Sequence, residues 1–322
     1  MARIALDASG GDRAPVETVA GAILASKLGV DVLLVGNEES ILRELDGFEL
    51  PVVHAPDVIG MGDDPASGLR EKPRSSIVTC ARLVRSGDAA GFVSAGSTGA
   101  AMAAAAILVG RVPGVLRPTI ATVFPTLGTP TVVLDSGANP DVKPEHLVQF
   151  GEMGAALSET YFQVAKARVG LLNIGEEKGK GRQLEREAYA LLEQAPINFV
   201  GNLEGRDIAL DKADVLVTDG FTGNVFLKAT EGVAALLTQL LMEAISGASP
   251  ESLAEILPLL EPVGDRLDYE TTGGAHLLGV KGVVVIAHGS STRRAVSNAL
   301  QMAHEGAERG LVERIAACIT LG

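Results

Sequence analysis

The stretch DVLVTDGFTGNVFLK, Asp214 to Lys228, passes from strand to turn to helix within fifteen residues, and its reading decides the fold class. Val215, Leu216 and Val217 form a short apolar run of the kind found in a strand buried on both faces. Thr218-Asp219-Gly220 ends that run, and a long helical pattern follows with Val233, Leu236, Leu237, Leu240 and Leu241 on one stripe. Gly220 and Gly223 permit tight or left-handed backbone, while Thr222 or Asn224 can cap the helix. A strand that runs through a glycine loop into a helix start gathers unpaired N–H groups and the positive end of the helix dipole, which suits an anion. Asp219 stands at that mouth. Taken alone, the stretch reads first as an ordinary strand-to-helix connection with Asp219 as its turn residue.

Working outward, the same order of elements recurs. The run from Gly91 to Ser94 enters Ala95-Gly96-Ser97-Thr98-Gly99, and Thr131 to Leu134 enters Asp135-Ser136-Gly137-Ala138-Asn139-Pro140. Val169 to Asn173 opens onto Gly175 to Gly181, where Lys178 and Lys180 stand among glycines, and Ile197 to Val200 leads to Gly201 through Asp207. A flexible ammonium beside open backbone is one way to hold a phosphate, although most such loops are only solvated. Earlier, Ile4 to Asp7 ends in Ala8-Ser9-Gly10-Gly11-Asp12, and near the C-terminus Gly282 to Ala287 ends in His288-Gly289-Ser290-Ser291. Alternating strands and helices predict an α/β fold. The strand ends near 94, 135, 173, 200 and 218 are expected on one side of an open sheet, where ligands bind. Neither a GxGxxG dinucleotide fingerprint nor a GK[ST] phosphate loop is present at these turns.

Composition narrows the function classes. In 322 residues, 27 Lys and Arg against 40 Asp and Glu leave a net charge of −13, and aromatics make up 3% with no Trp. Wholesale nucleic-acid binding and base stacking are therefore not expected. Cys80 and Cys318 lack metal-ligand spacing. The N-terminus lacks signal-peptide architecture and no run of about 18 apolar residues occurs, so a cytoplasmic protein is expected. From Leu69 to Arg85 the chain carries Arg70, Lys72, Arg74, Arg82 and Arg85 against Glu71 alone, either a solvated helix face or a docking patch for an acidic partner. In Pro250 to Leu267, Leu253, Ile256, Leu257 and Leu260 repeat at helical spacing, and Pro258 and Pro262 are expected to shorten any helix. Core packing, a dimer seal and a membrane-surface helix all fit that segment.

Nine ordered blocks carry a resemblance: LDASGGDRAP at Leu6, SAGSTGA at Ser94, LDSGAN at Leu134, KPEHLVQF at Lys143, LLNIGEE at Leu171, GNLEGRD at Gly201, VTDGFTGN at Val217, GGAHLLG at Gly273 and AHGSS at Ala287. Over nearly the whole chain this set resembles the bacterial phosphate acyltransferases of phospholipid synthesis, which make acyl phosphate from acyl-[acyl-carrier-protein]. The resemblance implies a three-layer α/β/α sandwich like the isocitrate and isopropylmalate dehydrogenases and the phosphotransacetylases. It implies one α/β subdomain from residues 1–115 with 281–322, and a second from 116–280 that carries the glycine-loop site and the tip at 250–267. It further implies a homodimer on the inner membrane face, held by that hydrophobic tip through Leu253, Ile256, Leu257 and Leu260. Because Glu251, Glu255, Glu261 and Asp265 lie in the tip, insertion is expected to use apolar area with little help from anionic lipid.

The implied substrates are acyl-[acyl-carrier-protein] and inorganic phosphate, without metal or cofactor. Arg70, Lys72 and Arg74 would dock the carrier protein, and the product would pass to a membrane glycerol-3-phosphate acyltransferase. Lys180 and the N–H groups around Ser97, Thr98 and Gly99 would hold phosphate. Asn224 and the Gly220 to Gly223 backbone would face the developing oxyanion, with Asn139, Thr222 and Gly274 completing the binding set. Asp219 would orient the nucleophile or take its proton, and His288 is the second candidate base. The chain departs from the family's usual pattern at Ser9 (commonly Met), Ser97 (Asn), Thr272 (Tyr) and Ile286 (Lys). Two other readings stay open. A metal- and NAD-dependent decarboxylating dehydrogenase would share the fold, with Asp207 and Asp211 imitating its metal carboxylates, and a non-catalytic membrane scaffold for fatty-acid enzymes would use the tip alone.

Overall fold

The apolar runs do form strands, and all of them join one sheet. The computed structural model describes residues 2–267 and 273–319, so Thr272 lies outside the described residues. In chain order the strands are β1 (Arg3–Asp7), β2 (Asp31–Gly36), β3 (Val52–His54), β4 (Gly91–Ser94), β5 (Thr119–Phe124), β6 (Thr131–Leu134), β7 (Arg168–Leu172), β8 (Asn198–Leu203), β9 (Val215–Val217), β10 (Ala275–Leu278) and β11 (Val283–Ile286). The helices are α1 (Val16–Lys27), α2 (Glu38–Leu45), α3 (Pro65–Glu71), α4 (Ser76–Ser86), α5 (Thr98–Ala104), α6 (Pro144–Phe162), α7 (Gln183–Leu192), α8 (Gly220–Ile245) and α9 (Pro250–Leu267). Two more, α10 (Arg293–Glu308) and α11 (Leu311–Cys318), follow the last strand.

The sheet runs β3-β2-β1-β4-β11-β10-β5-β6-β9-β7-β8. Its first five strands are parallel; β10 and β5 then alternate in direction, and β6, β9, β7 and β8 run parallel to one another but opposite to the first five. Helices cover both faces, which is why the inner strands are apolar throughout rather than alternating. One apolar cluster packs Leu134, Val169, Val215 and Val217 against Phe150, Met153 and Leu157 of α6, and another packs Leu6 and Val93 against α1 and α10. Each such fully buried side chain is worth about 1.5–3 kcal/mol. The sheet is continuous across residues 115 and 281. Leu311, Ile315 and Ile319 pack into the α6 cluster, while Val312 and the buried face of α10 pack on the cluster around β1 and β4.

Near the sheet's centre, β10 carries His276, 2% exposed and with neither ring nitrogen hydrogen-bonded among the described residues. Burial pushes its pKa down to about 3. The unfolded chain takes up a proton at this residue below about pH 6.5, and the folded chain does not. Stability from this source is therefore full above pH 6.5 and falls between pH 6.5 and 3, by about 1.4 kcal/mol per pH unit. At pH 5 the loss is about 2 kcal/mol. His276→Leu should narrow the difference in urea unfolding free energy between pH 7 and pH 5 by that amount; an unaltered difference would show that the imidazole is not held neutral.

The segment after the site departs most from expectation. Val233, Leu236, Leu237, Leu240 and Leu241 do share α8, yet all are about half exposed. By length and composition α8 is long and apolar enough to cross a bilayer, and none of its apolar stretch is buried in the protein. Scattered Thr, Gln and Glu break the apolar run in sequence, which is why no such segment is expected there, yet they leave the helix apolar enough on average to cross. Nor do Pro258 and Pro262 shorten α9, which runs through both. The helix is exposed, so carbonyls freed by the missing N–H groups can be hydrated instead. Leu253, Ile256 and Leu260 are half-buried along it and Leu257 is exposed.

Candidate active site

Asp135 builds the first wall of the site. It is fully buried, and its Oδ1 accepts the N–H groups of Ile120, Gly137 and Ala138 at 3.3, 3.1 and 2.9 Å. Its Oδ2 accepts from both the backbone and the amide of Asn139 at 2.7 Å. Asn139 Nδ2 also donates to the Pro118 carbonyl at 2.8 Å, so both amide hydrogens of this expected ligand are spent on the loop.

The opening motif closes onto that loop. Gly220 N donates to the Asn139 carbonyl, Thr222 N to Asp219 Oδ1 and Gly223 N to the Asp219 carbonyl, all at 2.8–2.9 Å. The backbone N–H groups expected to meet an oxyanion are thus used inside the fold, leaving Phe221 N–H as the one in this turn with no hydrogen bond among the described residues. The glycines serve close packing: a Cβ on Gly220 would lie 2.8 Å from Asn139 backbone atoms, and on Gly223 1.9 Å from the Asp135 carbonyl oxygen.

Asp219 is 3% exposed and caps α8. Its Oδ2 accepts the Thr222 hydroxyl at 2.8 Å and Arg182 Nη2 at 2.5 Å. Against the effect of burial, the Thr222 N–H and the Arg182 guanidinium hold its carboxyl below the ordinary value. That makes Asp219 a poor proton acceptor and a good anchor. Arg182 is also paired with Glu185, yet most of its side chain is exposed. Its position just after the glycine-lysine loop is the sequence signal for it. Lys180, two residues earlier, is half exposed and pairs loosely with Glu177 at 3.8 Å; no hydrogen bond or ion pair joins it to Asp219. Asn224 Nδ2 stands beside Gly137, where a Cβ would approach it to 3.1 Å, and its amide is uncommitted among the described residues.

A second polar group forms where β1, β4 and β11 end. Ser97 Oγ accepts the Ala100 N–H at 3.4 Å and caps α5, leaving the Thr98 and Gly99 N–H groups without a hydrogen bond among the described residues. His288 Nδ1 shares a hydrogen with Ser290 Oγ at 2.8 Å, and Gly274 lies against the Ile286 carbonyl, 2.7 Å from where its Cβ would be. Ile286 itself is buried in the core, and Ser9 Oγ accepts the Asn37 N–H.

The five strand ends expected on one side therefore divide. Those of β6, β7, β8 and β9 share a direction and that of β4 opposes it, and no hydrogen bond or ion pair among the described residues joins the two groups. They do share a wall, since Ala138 packs against the apolar cluster that holds Ala100 and Ala101 of α5. Of the expected docking cations, Lys72 lies 2.5 Å from Asp63, Arg74 3.9 Å from Asp57, and Arg70 reaches the Ser67 hydroxyl at 3.4 Å. Asp207 pairs with Lys212 and Asp211 with Arg168, so the two carboxylates offered to a metal in the dehydrogenase reading are turned to different cations.

Comparison with known proteins places this architecture. A family model described as fatty acid synthesis protein matches residues 2–314. The phosphate acyltransferase of Desulforamulus reducens is 48% identical over 322 residues, covering 98% of this chain and 96% of the relative. That of Pelotomaculum thermopropionicum is 49% identical over 324 residues, covering 98% and 95%. Among solved structures, a phosphotransacetylase from Streptococcus pyogenes superposes with a TM-score of 0.65 at 17% identity, over 95% of this chain and 94% of its own. A 4-hydroxythreonine-4-phosphate dehydrogenase from Klebsiella pneumoniae gives 0.54 at 12%, over 95% and 100%. These distant likenesses bear on the fold and agree with the α/β/α type. The match along almost the full length and the identity to curated members decide the rest: the chain belongs to the phosphate acyltransferase family and is an acyltransferase.

Proposed function

We propose that the protein transfers a long-chain fatty acyl group from acyl-[acyl-carrier-protein] to inorganic phosphate. Phosphate is already an anionic nucleophile near neutrality, so no serine or cysteine need attack, and positioning with charge stabilisation suffices. A phosphate oxygen adds to the thioester carbonyl carbon, the carbonyl electrons move onto oxygen, and collapse breaks the C–S bond to give acyl phosphate and the pantetheine thiol. The observation that carries the reading is the uncommitted Asn224 amide, standing against the Gly137 turn on the helix whose cap, Asp219, is locked to Arg182. Asn224 Nδ2 donates to the oxyanion. Asp219 orients Arg182 rather than accepting a proton, and Arg182 and Lys180 supply positive charge. The Thr98 and Gly99 N–H groups hold phosphate from the other wall, and His288 is the group left to move a proton.

Sheet twist supports a site shared by both walls. Neighbouring strands rotate by about 20–25°, so the five steps from β4 to β9 accumulate about 100–125°. Strands that would oppose one another in a flat sheet then head within about 55–80° of each other.

The exposed apolar hairpin of α8 and α9 supports a homodimer and peripheral attachment to the cytoplasmic face of the membrane, with hand-off of acyl phosphate to a membrane acyltransferase. Arg70, Lys72 and Arg74 dock the acidic carrier protein by exchanging Asp63 and Asp57 for it, since exposed pairs hold by only about 0–1 kcal/mol. Incubating the pure protein with palmitoyl-carrier protein and labelled phosphate should yield labelled acyl phosphate; thioester loss independent of phosphate, or none at all, would defeat the proposal.

A further inference from the structure

Asp7 ends β1 and is 2% exposed, yet it has no part in the chemistry above. Its Oδ2 accepts the Ser94 hydroxyl at 2.7 Å, and Ser94 Oγ accepts the Gly96 N–H at 3.0 Å. Its Oδ1 is buried without a hydrogen-bond partner among the described residues. Burial pushes the carboxyl above its ordinary value, while the Ser76 and Ser94 hydroxyls and the Ser9 and Gly10 N–H groups pull it the other way. For packing alone the carboxyl is a poor choice: an unmatched buried acceptor oxygen costs about 1–3 kcal/mol, and an apolar side chain of similar shape would avoid it.

What the carboxyl provides is geometry. A Cβ on Gly10 would lie 2.4 Å from Asp7 Oδ2 and 3.0 Å from Gly96 N, and one on Gly96 would lie 3.3 Å from Asp7 Oδ2 and 3.4 Å from Gly10 Cα. The loops after β1 and β4 thus close on one another over this carboxyl with no side chain between them. The loop after β11 joins them, because Gly289 O accepts the Asp12 N–H at 2.8 Å and lies 3.3 Å from where a Cβ on Gly11 would be. Gly96 leads straight into Ser97, so whatever fixes Gly96 also fixes the direction in which Thr98 and Gly99 present their N–H groups.

We infer that Asp7 is a positioning residue for phosphate, acting through Ser94 and Gly96 on the Ser97–Gly99 turn. This rests on the proposed function, in which that turn holds the nucleophile. Asp7 does not touch substrate; it lies behind the turn, and Ser94 carries the constraint forward.

The test uses Asp7→Ala, Asp7→Asn and Ser94→Ala in the full chain, with steady-state kinetics and hydrogen exchange of the peptide spanning 94–104. Asp7→Ala and Ser94→Ala should raise the phosphate KM about tenfold, corresponding to loss of about 1.4 kcal/mol, and leave the acyl-donor KM within about twofold. Both should speed exchange in 94–104. Asp7→Asn keeps an oxygen to accept the Ser94 hydroxyl and should stay close to wild type in both readouts. A parallel rise in the two KM values, an Asn variant as impaired as the Ala variant, or unchanged exchange would overturn the inference. If Asp7→Ala does not fold, Ser94→Ala against Asp7→Asn decides. If the wild type shows no phosphate-dependent thioester loss, the acyl-transfer reading fails separately, and exchange of 94–104 still decides whether Asp7 holds the turn.

Discussion

Gly223→Ala should destabilise the protein by about 3 kcal/mol or more, although the position lies in the first turn of a helix where alanine is ordinarily the better residue. The added methyl would stand 1.9 Å from the Asp135 carbonyl oxygen and 3.0 Å from Thr218 Cγ2. Neither neighbour can yield cheaply. Asp135 is pinned by the bonds its carboxylate accepts, and Thr218 N donates to the Leu134 carbonyl at 2.5 Å as β9 ends. Relief would require α8 to back away from the Asp135 loop, breaking the Gly220 to Asn139 bond and loosening the Asp219 cap. Gly232, in the same helix, has nothing within 4 Å of its absent Cβ, and Gly232→Ala should stabilise by about 0.5–1 kcal/mol. Urea unfolding of the two variants side by side checks the argument. Equal stability would mean that the loop and helix are not in contact in solution.

These particulars show what a sequence can carry. The mouths after β4, β6, β7, β8 and β9 were legible because a short apolar run followed by glycine and small polar residues has few other realisations. Their relative direction was not. Val215-Leu216-Val217 reads the same whether its strand runs with β4 or against it, and the reversal is made by β10 and β5, whose patterns do not differ from those of parallel strands. Gly220 and Gly223 were legible as positions of special backbone need, but the need is the approach of the Asn139 and Asp135 backbones, which lie far off along the chain. Only the closed structure shows that the N–H groups there are already used. The stripe on α8 is legible as a stripe. Periodicity states which residues share a face and says nothing of what covers it, so five half-exposed aliphatic side chains could pass for a core helix. Arg182 was missed for a related reason: in a loop with two lysines, charge alone does not tell which cation reaches a buried carboxylate.

Asn224→Ala should lower kcat for acyl transfer to phosphate by about 10²–10³, equivalent to about 2.7–4 kcal/mol of transition-state stabilisation, with little change in the phosphate KM. Elimination within the turn singles out this side chain. The donors of Asn139 and the N–H groups of Gly220, Thr222 and Gly223 are committed to the fold, and Nε and Nη2 of Arg182 are committed to Glu185 and Asp219. Asn224 Nδ2, set against Gly137 and free of internal partners among the described residues, is the neutral side-chain donor left where the α8 turn meets the Asp135 loop, with the Phe221 N–H as the one backbone donor beside it. A neutral donor suits this role, because it meets charge that develops on the carbonyl oxygen without binding the ground-state phosphate, so its loss should appear in turnover and not in phosphate affinity. Because Asn224 is exposed, truncation should change unfolding free energy by no more than about 0.5 kcal/mol, which separates lost chemistry from lost structure. A kcat within about threefold of wild type would remove Asn224 from the reaction. A phosphate KM that rose while kcat held would move it from the oxyanion to the nucleophile, and the positive charge of Arg182 and Lys180 would then be the remaining stabilisation for the departing electrons.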